Sequence, residues 1–226
     1  MSQLILKEPN EAAPNWQAQK SAMTRDSILD ATISGFIKLG YNKLTTTKVA
    51  DMAGISRGAM RYHFASKKEL IQSAIIHLHK KMLNGYVKNI SLIPDSLAGR
   101  ALIRARVDAY WNYLNSDLYL VYQELCSSAR TEPELKEPLD DVIKDFDESG
   151  RQSALSLFPE WDETNSSQLF FIIDTTRFTL EGLARLQWQI SIDRDVLVER
   201  QLEYLAFCIE QIVNDDGNTE LSKFFS

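Results

Sequence analysis

An all-α protein is predicted: an N-terminal three-helix head carrying a helix-turn-helix, then a larger helical body, about nine helices in total. Apolar residues recur at three- and four-residue spacing along nearly every long segment, as one face of a helix requires. The 226 residues include 9 Gly and 6 Pro and are 44% hydrophobic, a composition of ordered helical cores rather than disordered chain. The third observation is the punctuation of Leu44–Leu70, where two short helical stretches flank a glycine. No run approaches the ~18 uncharged apolar residues that a membrane span needs. The N-terminal M-S-Q-L-I-L-K-E-P-N lacks the apolar core and cleavage site of a secretory signal. A cytoplasmic protein with no membrane partner is therefore expected.

Residues 1–20 show no periodicity and contain Pro9 and Pro14, which reads as a flexible arm with Trp16 as a candidate anchor. The head occupies residues 21–66. Its first helix starts near Thr24, carries the stripe Ile28, Ala31, Thr32, Phe36 and Leu39, and closes at Gly40. Thr45 caps a second helix whose small apolar face is Val49, Ala50 and Ala53. Gly54 ends it in the left-handed conformation that glycine adopts without strain, and Ile55 turns back toward the core. Ser56 caps a third helix, Arg57 to His63, which puts Met60 and Phe64 on one face and leaves Arg57, Arg61 and Tyr62 elsewhere. Helix, glycine turn, helix is the helix-turn-helix signature. Two arginines, an aromatic and the small Gly58 and Ala59 suit a helix that reads the DNA major groove. Lys20 and Arg25, just ahead, are candidates for contact with a DNA backbone.

Charge is distributed to match. The chain's net charge is −6, yet residues 20–70 hold nine Lys/Arg against four Asp/Glu, and the excess acid lies entirely elsewhere.

Residues 67–226 form the body. Its first helix, 67–85, opens with a capping box, Ser66 to Glu69, and continues through Leu70, Ile71, Ala74, Ile75, Leu78 and Met82 as a connecting lever. His77 and His79 sit two apart, on different sides of that helix, with no carboxylate at ligand spacing, so no metal site is expected. After Pro94, helices near 97–115 and 118–129 carry Tyr110, Trp111, Tyr113, Tyr119 and Tyr122. A helix starting at the Thr131–Glu134 capping box reaches about Phe158 and stops at Pro159. The last two helices, about 166–189 and 195–214, carry apolar residues on more than one side. Such helices need a second burying surface, which suggests a homodimeric four-helix bundle through Leu183, Leu186, Leu202, Leu205, Ile209 and Ile212.

Cys126 and Cys208 lack C-x-x-C spacing and read as buried free thiols. Tyr110, Trp111, Tyr122, Phe146, Phe170 and Phe178 are candidates to line an apolar ligand pocket, with plain core as the alternative for each. Asp174, Arg177 and Glu181 stand at i, i+3 and i+7, a charged stripe on an otherwise apolar helix. It forms either an ion-pair network or, through Asp174 or Arg177, the anchor for the polar end of a ligand. The aromatic interior points to a hydrophobic ligand, and the acidic body argues against a strongly anionic one.

The run G-Y-N-K-L-T-T-T-K-V-A-D-M-A-G-I-S-R-G-A-M-R-Y-H-F-A-S-K-K-E-L, Gly40 to Leu70, resembles the TetR/AcrR family of bacterial transcriptional regulators. Glycine turn, serine cap, H-F helix end and S-K-x-E-L start fall at the family's spacing. The rest of the chain is similar through helix number and length. The resemblance implies an all-helical homodimer on double-stranded operator DNA, released by a small molecule bound in the body, with no cofactor. It implies that Arg57, Gly58, Arg61 and Tyr62 face bases and that Thr45, Thr47, Lys48, His63 and Lys67 face phosphates. Arg61 departs from the family's frequent tyrosine. It serves a guanine or a phosphate, Tyr62 has packing at the head's edge as its alternative, and His63 and Lys67 have a solvated face.

Function thus lies between a ligand-released repressor, an activator or DNA-binding scaffold, and an enzyme. The sequence has no G-x-S-x-G, H-E-x-x-H or glycine-rich phosphate loop, which argues against the enzyme.

Overall fold

The computed structural model describes residues 16–144, 166–186 and 193–215. Their regular structure is all helical. The order is α1 (Trp16–Leu39), a short 3-10 turn (Tyr41–Lys43), α2 (Thr46–Met52), α3 (Arg57–His63), α4 (Lys67–Ser91), α5 (Gly99–Leu114), α6 (Asp117–Ser128), α7 (described over 133–144), α8 (Ser166–Arg185) and α9 (Arg194–Val213). Two compact units part at Ala74/Ile75, within α4 rather than at its start.

In the first unit α1 begins at Trp16, eight residues before the expected start. W-Q-A-Q-K-S-A-M contains no glycine or proline, so nothing stops the helix from extending back. Thr24 accordingly does not cap; its hydroxyl donates to the Lys20 carbonyl. Trp16 is 77% exposed. Ile28, Phe36, Tyr41, Leu44, Val49, Met60, Phe64 and Leu70 form the core. Gly35 lets α1 pack closely on Leu44: a Cβ there would lie 2.5 Å from Leu44 Cδ1, so a larger residue makes the leucine side chain shift.

Helix ends follow the sequence's punctuation. Thr45 Oγ1 accepts from the Lys48 amide at 3.3 Å, and Ser56 Oγ from the Ala59 amide at 3.1 Å. Between them Gly54 has a φ of 66°, where any side chain would be strained. At α4, Ser66 Oγ accepts from the Glu69 amide, while the Glu69 carboxylate accepts from the amide of Ala65 rather than Ser66. The box is thus shifted by one residue on its return arm.

In the second unit α5 packs most extensively on α9, and α8 lies against both. Arginines of α5 clamp α9: Arg104 makes a bidentate pair with Glu199 at 2.7 and 2.9 Å and also binds Glu203 and Asp108, while Arg100 reaches Glu203 and Glu210. α4 runs to Ser91, past the expected end near Gly85. α7 starts at residue 133, two residues into the expected Thr131 capping box; Pro133 occupies the first turn, where a missing amide proton costs nothing. Its far end, with Phe146 and Pro159, lies outside the described residues.

Candidate functional site

α3 owes its position in the head to a small buried side and two well-made ends. Met60 (4% exposed) and the C-cap Phe64 (3%) enter the core, and the Phe64 amide closes on the Met60 carbonyl. Arg57 and Arg61, one turn apart, and Gly58 and Tyr62, likewise, are left facing solvent, Tyr62 at 81%. One seven-residue helix therefore gathers all four candidate base-facing residues. A Cβ on Gly58 would approach no atom closer than 3.7 Å, so the backbone is accessible there.

The phosphate-facing candidates ring this helix. Thr45 serves as the α2 cap, and Thr47 is half-buried on the first turn of α2. Lys48 Nζ donates to the Lys43 carbonyl at 2.8 Å. His63 meets the Tyr62 ring edge-on at 5.1 Å, and the Lys67 ammonium lies 5.1 Å over the ring of Tyr41.

Arg25, expected to touch a DNA backbone, is engaged within the head. Its guanidinium donates to the His63 carbonyl at 2.7 Å and to Ser73 Oγ at 2.9 Å, lies 4.1 Å over the Phe64 ring, and approaches Glu69 at 3.9 Å. It satisfies a carbonyl at the end of α3 and ties that end to α1 and α4. Nothing in the linear sequence pointed to this, because its partners lie 38 and 48 residues away.

In the body, five tyrosines from α4, α5 and α6 form a continuous chain, Tyr86, Tyr110, Tyr113, Tyr119 and Tyr122, with ring centroids 5.3 to 6.0 Å apart. Burial raises the pKa of every one, Tyr86 to about 12, and the Glu181 carboxylate raises those of Tyr110, Tyr113 and Tyr119 further. Arg177 Nε donates to Glu181 at 3.1 Å, so the charged stripe of α8 forms an ion pair within one subunit. Trp111 lies under the Arg194 guanidinium at 5.8 Å, and Phe170 and Asp174 are half-buried on α8. Phe178 does not line the interior: it is 68% exposed.

A cleft of about 580 Å³ lies instead between α6 and the C-terminal end of α8, and none of the described pocket candidates lines it; Phe146 lies outside the described residues. Its walls include polar residues, Gln123, Cys126 and Ser127, that a search for aromatic stripes passes over. Both cysteines are free thiols, each partly buried.

The dimer candidates also need correction. Leu202, Leu205, Ile209 and Ile212 are 3 to 8% exposed in a single chain, because the charged clamp turns that face of α9 onto α5. They are intrachain core. The apolar side chains left exposed on α8 and α9 are Phe178, Leu186, Val196, Tyr204, Phe207 and Val213. Leu186 therefore stays available, and Leu183 is half-buried. No described helix is long and apolar enough to cross a membrane.

Residues 28–74 match the family model described as bacterial regulatory proteins, tetR family. The chain is 26% identical over 149 residues, 64% of its length and 75% of the other's, to the HTH-type transcriptional regulator Rv2912c of Mycobacterium tuberculosis. Over 56 residues, 25% of this chain and 27% of its relative, it is 41% identical to the HTH-type transcriptional repressor BepR of Brucella suis. In fold it resembles the crystal structure of a TetR-family regulator from Mesorhizobium loti, with a TM-score of 0.67 over 86% of this chain and 98% of that one at 14% identity. The tetR-family model matches residues 28–74 of the head and the structural likeness shows a shared fold over most of the chain; with the HTH-type relatives, these similarities support a TetR-family transcriptional regulator.

Proposed function

We propose that this regulator is a repressor that binds a palindromic operator as a homodimer and leaves it when a small, largely apolar effector enters the body. The observation that carries the reading is the solvent-facing array Arg57, Gly58, Arg61 and Tyr62 on a helix held by serine cap, glycine turn and buried Met60 and Phe64. In a major groove the arginines suit guanine edges, and Thr45, Thr47, Lys48, His63 and Lys67 supply flanking phosphate contacts. The head, residues 21–66, thus reads DNA, and residues 67–226 dimerise and sense, in the cytoplasm. The repressor sense is supported by BepR, which is named a repressor.

The homodimer is supported by the apolar side chains left exposed along α8 and α9, among them Phe178 on α8 and Leu186 just past its end. Burying such a face against its copy gives the isologous contact of a two-fold dimer.

The test is selection of bound sequences from random duplex DNA at two salt concentrations. An enriched inverted repeat, with half-sites about one helical turn or a multiple of it apart, is expected. Weak, sequence-independent binding that vanishes with salt would overturn the reading. An operator overlapping a promoter is expected of a repressor; one lying upstream and raising transcription would make the protein an activator.

A further inference from the structure

The cleft of the body has a chemistry opposite to that of the chain as a whole. Its apolar lining comes from Leu114, Leu120, Ala184 and the ring of Tyr119, and at about 580 Å³ it falls within the range of small-molecule sites. Among the described residues its charged lining consists of two arginines, Arg130 just past the end of α6 and Arg185 from the end of α8, with no aspartate or glutamate. Among the described residues neither arginine is in an ion pair. Arg185 donates through Nε to the amide oxygen of Gln123 at 2.9 Å, a neutral acceptor that holds the guanidinium in place without cancelling its charge. That charge reaches the cleft wall: burial raises the pKa of the Cys126 thiol, and the Tyr122 hydrogen bond and the Arg185 charge oppose it, while the Glu181 carboxylate adds to it.

We propose that this cleft binds an amphipathic organic anion, its carboxylate or sulfate head gripped by Arg130 and Arg185 and its apolar body laid against Leu114, Leu120 and Tyr119. The inference rests on the reading that the body takes an effector, and it names the effector's class. The net negative charge of the chain does not oppose it, because screening confines electrostatic selection to groups within about 8 Å at physiological salt. Within that radius the charged lining among the described residues is cationic, and the nearby Glu181 carboxylate, which acts on Tyr119 and Cys126, is paired with Arg177. Guanidinium suits the role, since its planar fork pairs with two carboxylate oxygens at once. Arg185 sits on the last turn of α8 and Arg130 just past Ala129, the C-cap of α6, so a bound anion would meet negative dipole ends and the side chains rather than the backbone must supply the attraction.

The experiment uses the full-length chain with three probes of equal chain length, decanoate, decanol and decyltrimethylammonium, below their micelle concentrations. Binding is followed by calorimetry, and displacement from the selected operator by fluorescence anisotropy. Decanoate is expected to bind about tenfold or more tightly than decanol, to displace operator DNA, and to exclude the ammonium. R130A and R185A are each expected to weaken decanoate about tenfold while leaving decanol unchanged, with R130K and R185K recovering part of the loss. Both side chains are exposed, so thermal melts of the variants should match that of the parent chain. R130Q and R185Q, which keep length and polarity, repeat the test if the alanines unfold. Decanol binding as tightly as decanoate, a preference for the ammonium, no binding by any probe, or arginine variants without effect would each overturn the proposal. Operator binding without ligand is measured alongside: its absence strikes the DNA reading, whereas intact operator binding with no anion preference strikes this one alone.

Discussion

α3 and α9 reach their orientations by opposite means. α3 is seven residues long, buries Met60 alone, and is placed by what borders it: Ser56 before, Gly54 in the turn, Phe64 after. α9 is twenty residues long, buries Val198, Leu202, Leu205, Ala206, Ile209 and Ile212, and is placed by α5 through Arg100 and Arg104. The first is local geometry, so its outward residues can be named from spacing. The second is a choice among faces that are all partly apolar, settled by partners about 95 to 110 residues away along the chain. A short capped helix is therefore a better guide to function from sequence than a long apolar one.

The comparison can be broken most forcefully at Leu205. Leu205→Ala should cost about 2–5 kcal/mol of stability by leaving a cavity between α5 and α9, read as a lowered denaturation midpoint, with the dimer intact by light scattering at concentrations where the chain stays folded. Tyr204→Glu should do the reverse, giving monomers with little change in the midpoint of the isolated chain. A stable, monomeric Leu205→Ala would return that residue to the interface.

On α3, Arg61→Ala should reduce discrimination between the operator and its guanine-substituted variants by about 1–3 kcal/mol and leave thermal stability unchanged, because the side chain is exposed. Uniform weakening on every sequence, with a shallower salt dependence, would assign Arg61 to a phosphate instead. Arg25→Ala sharpens the contrast further. It should lower operator affinity by about 1–2 kcal/mol through loss of charge-assisted hydrogen bonds that hold the end of α3, while the slope of log affinity against log salt stays unchanged. A slope reduced by about 0.9 would mean that Arg25 does contact a phosphate. The smallest effect expected is Ser56→Ala, about 1 kcal/mol from loss of the α3 cap, visible as faster amide exchange across α3.

Legibility followed the same division. The caps at Thr45 and Ser56, the turn at Gly54 and the outward set on α3 could be read directly, since each depends on residues within four positions of itself. The internal partners of Arg25 could not be read, because a basic residue beside a DNA-binding motif suggests phosphate, and only folding brings His63, Phe64 and Ser73 to its guanidinium. The cleft was missed for a related reason: Arg130 and Arg185 are 55 positions apart, and neither sits in a pattern until α6 meets α8.

The sequence alone determined the all-helical class, the helix-turn-helix and the residues α3 turns outward, because helical periodicity, capping and glycine turns are short-range effects. Tertiary structure alone decided which face of α8 and α9 is core, where Arg25 spends its hydrogen bonds, and that two distant arginines share one apolar cleft. Those outcomes depend on side chains competing for partners across the fold. A linear pattern records which residues are apolar or charged, not which neighbours will bury or pair them.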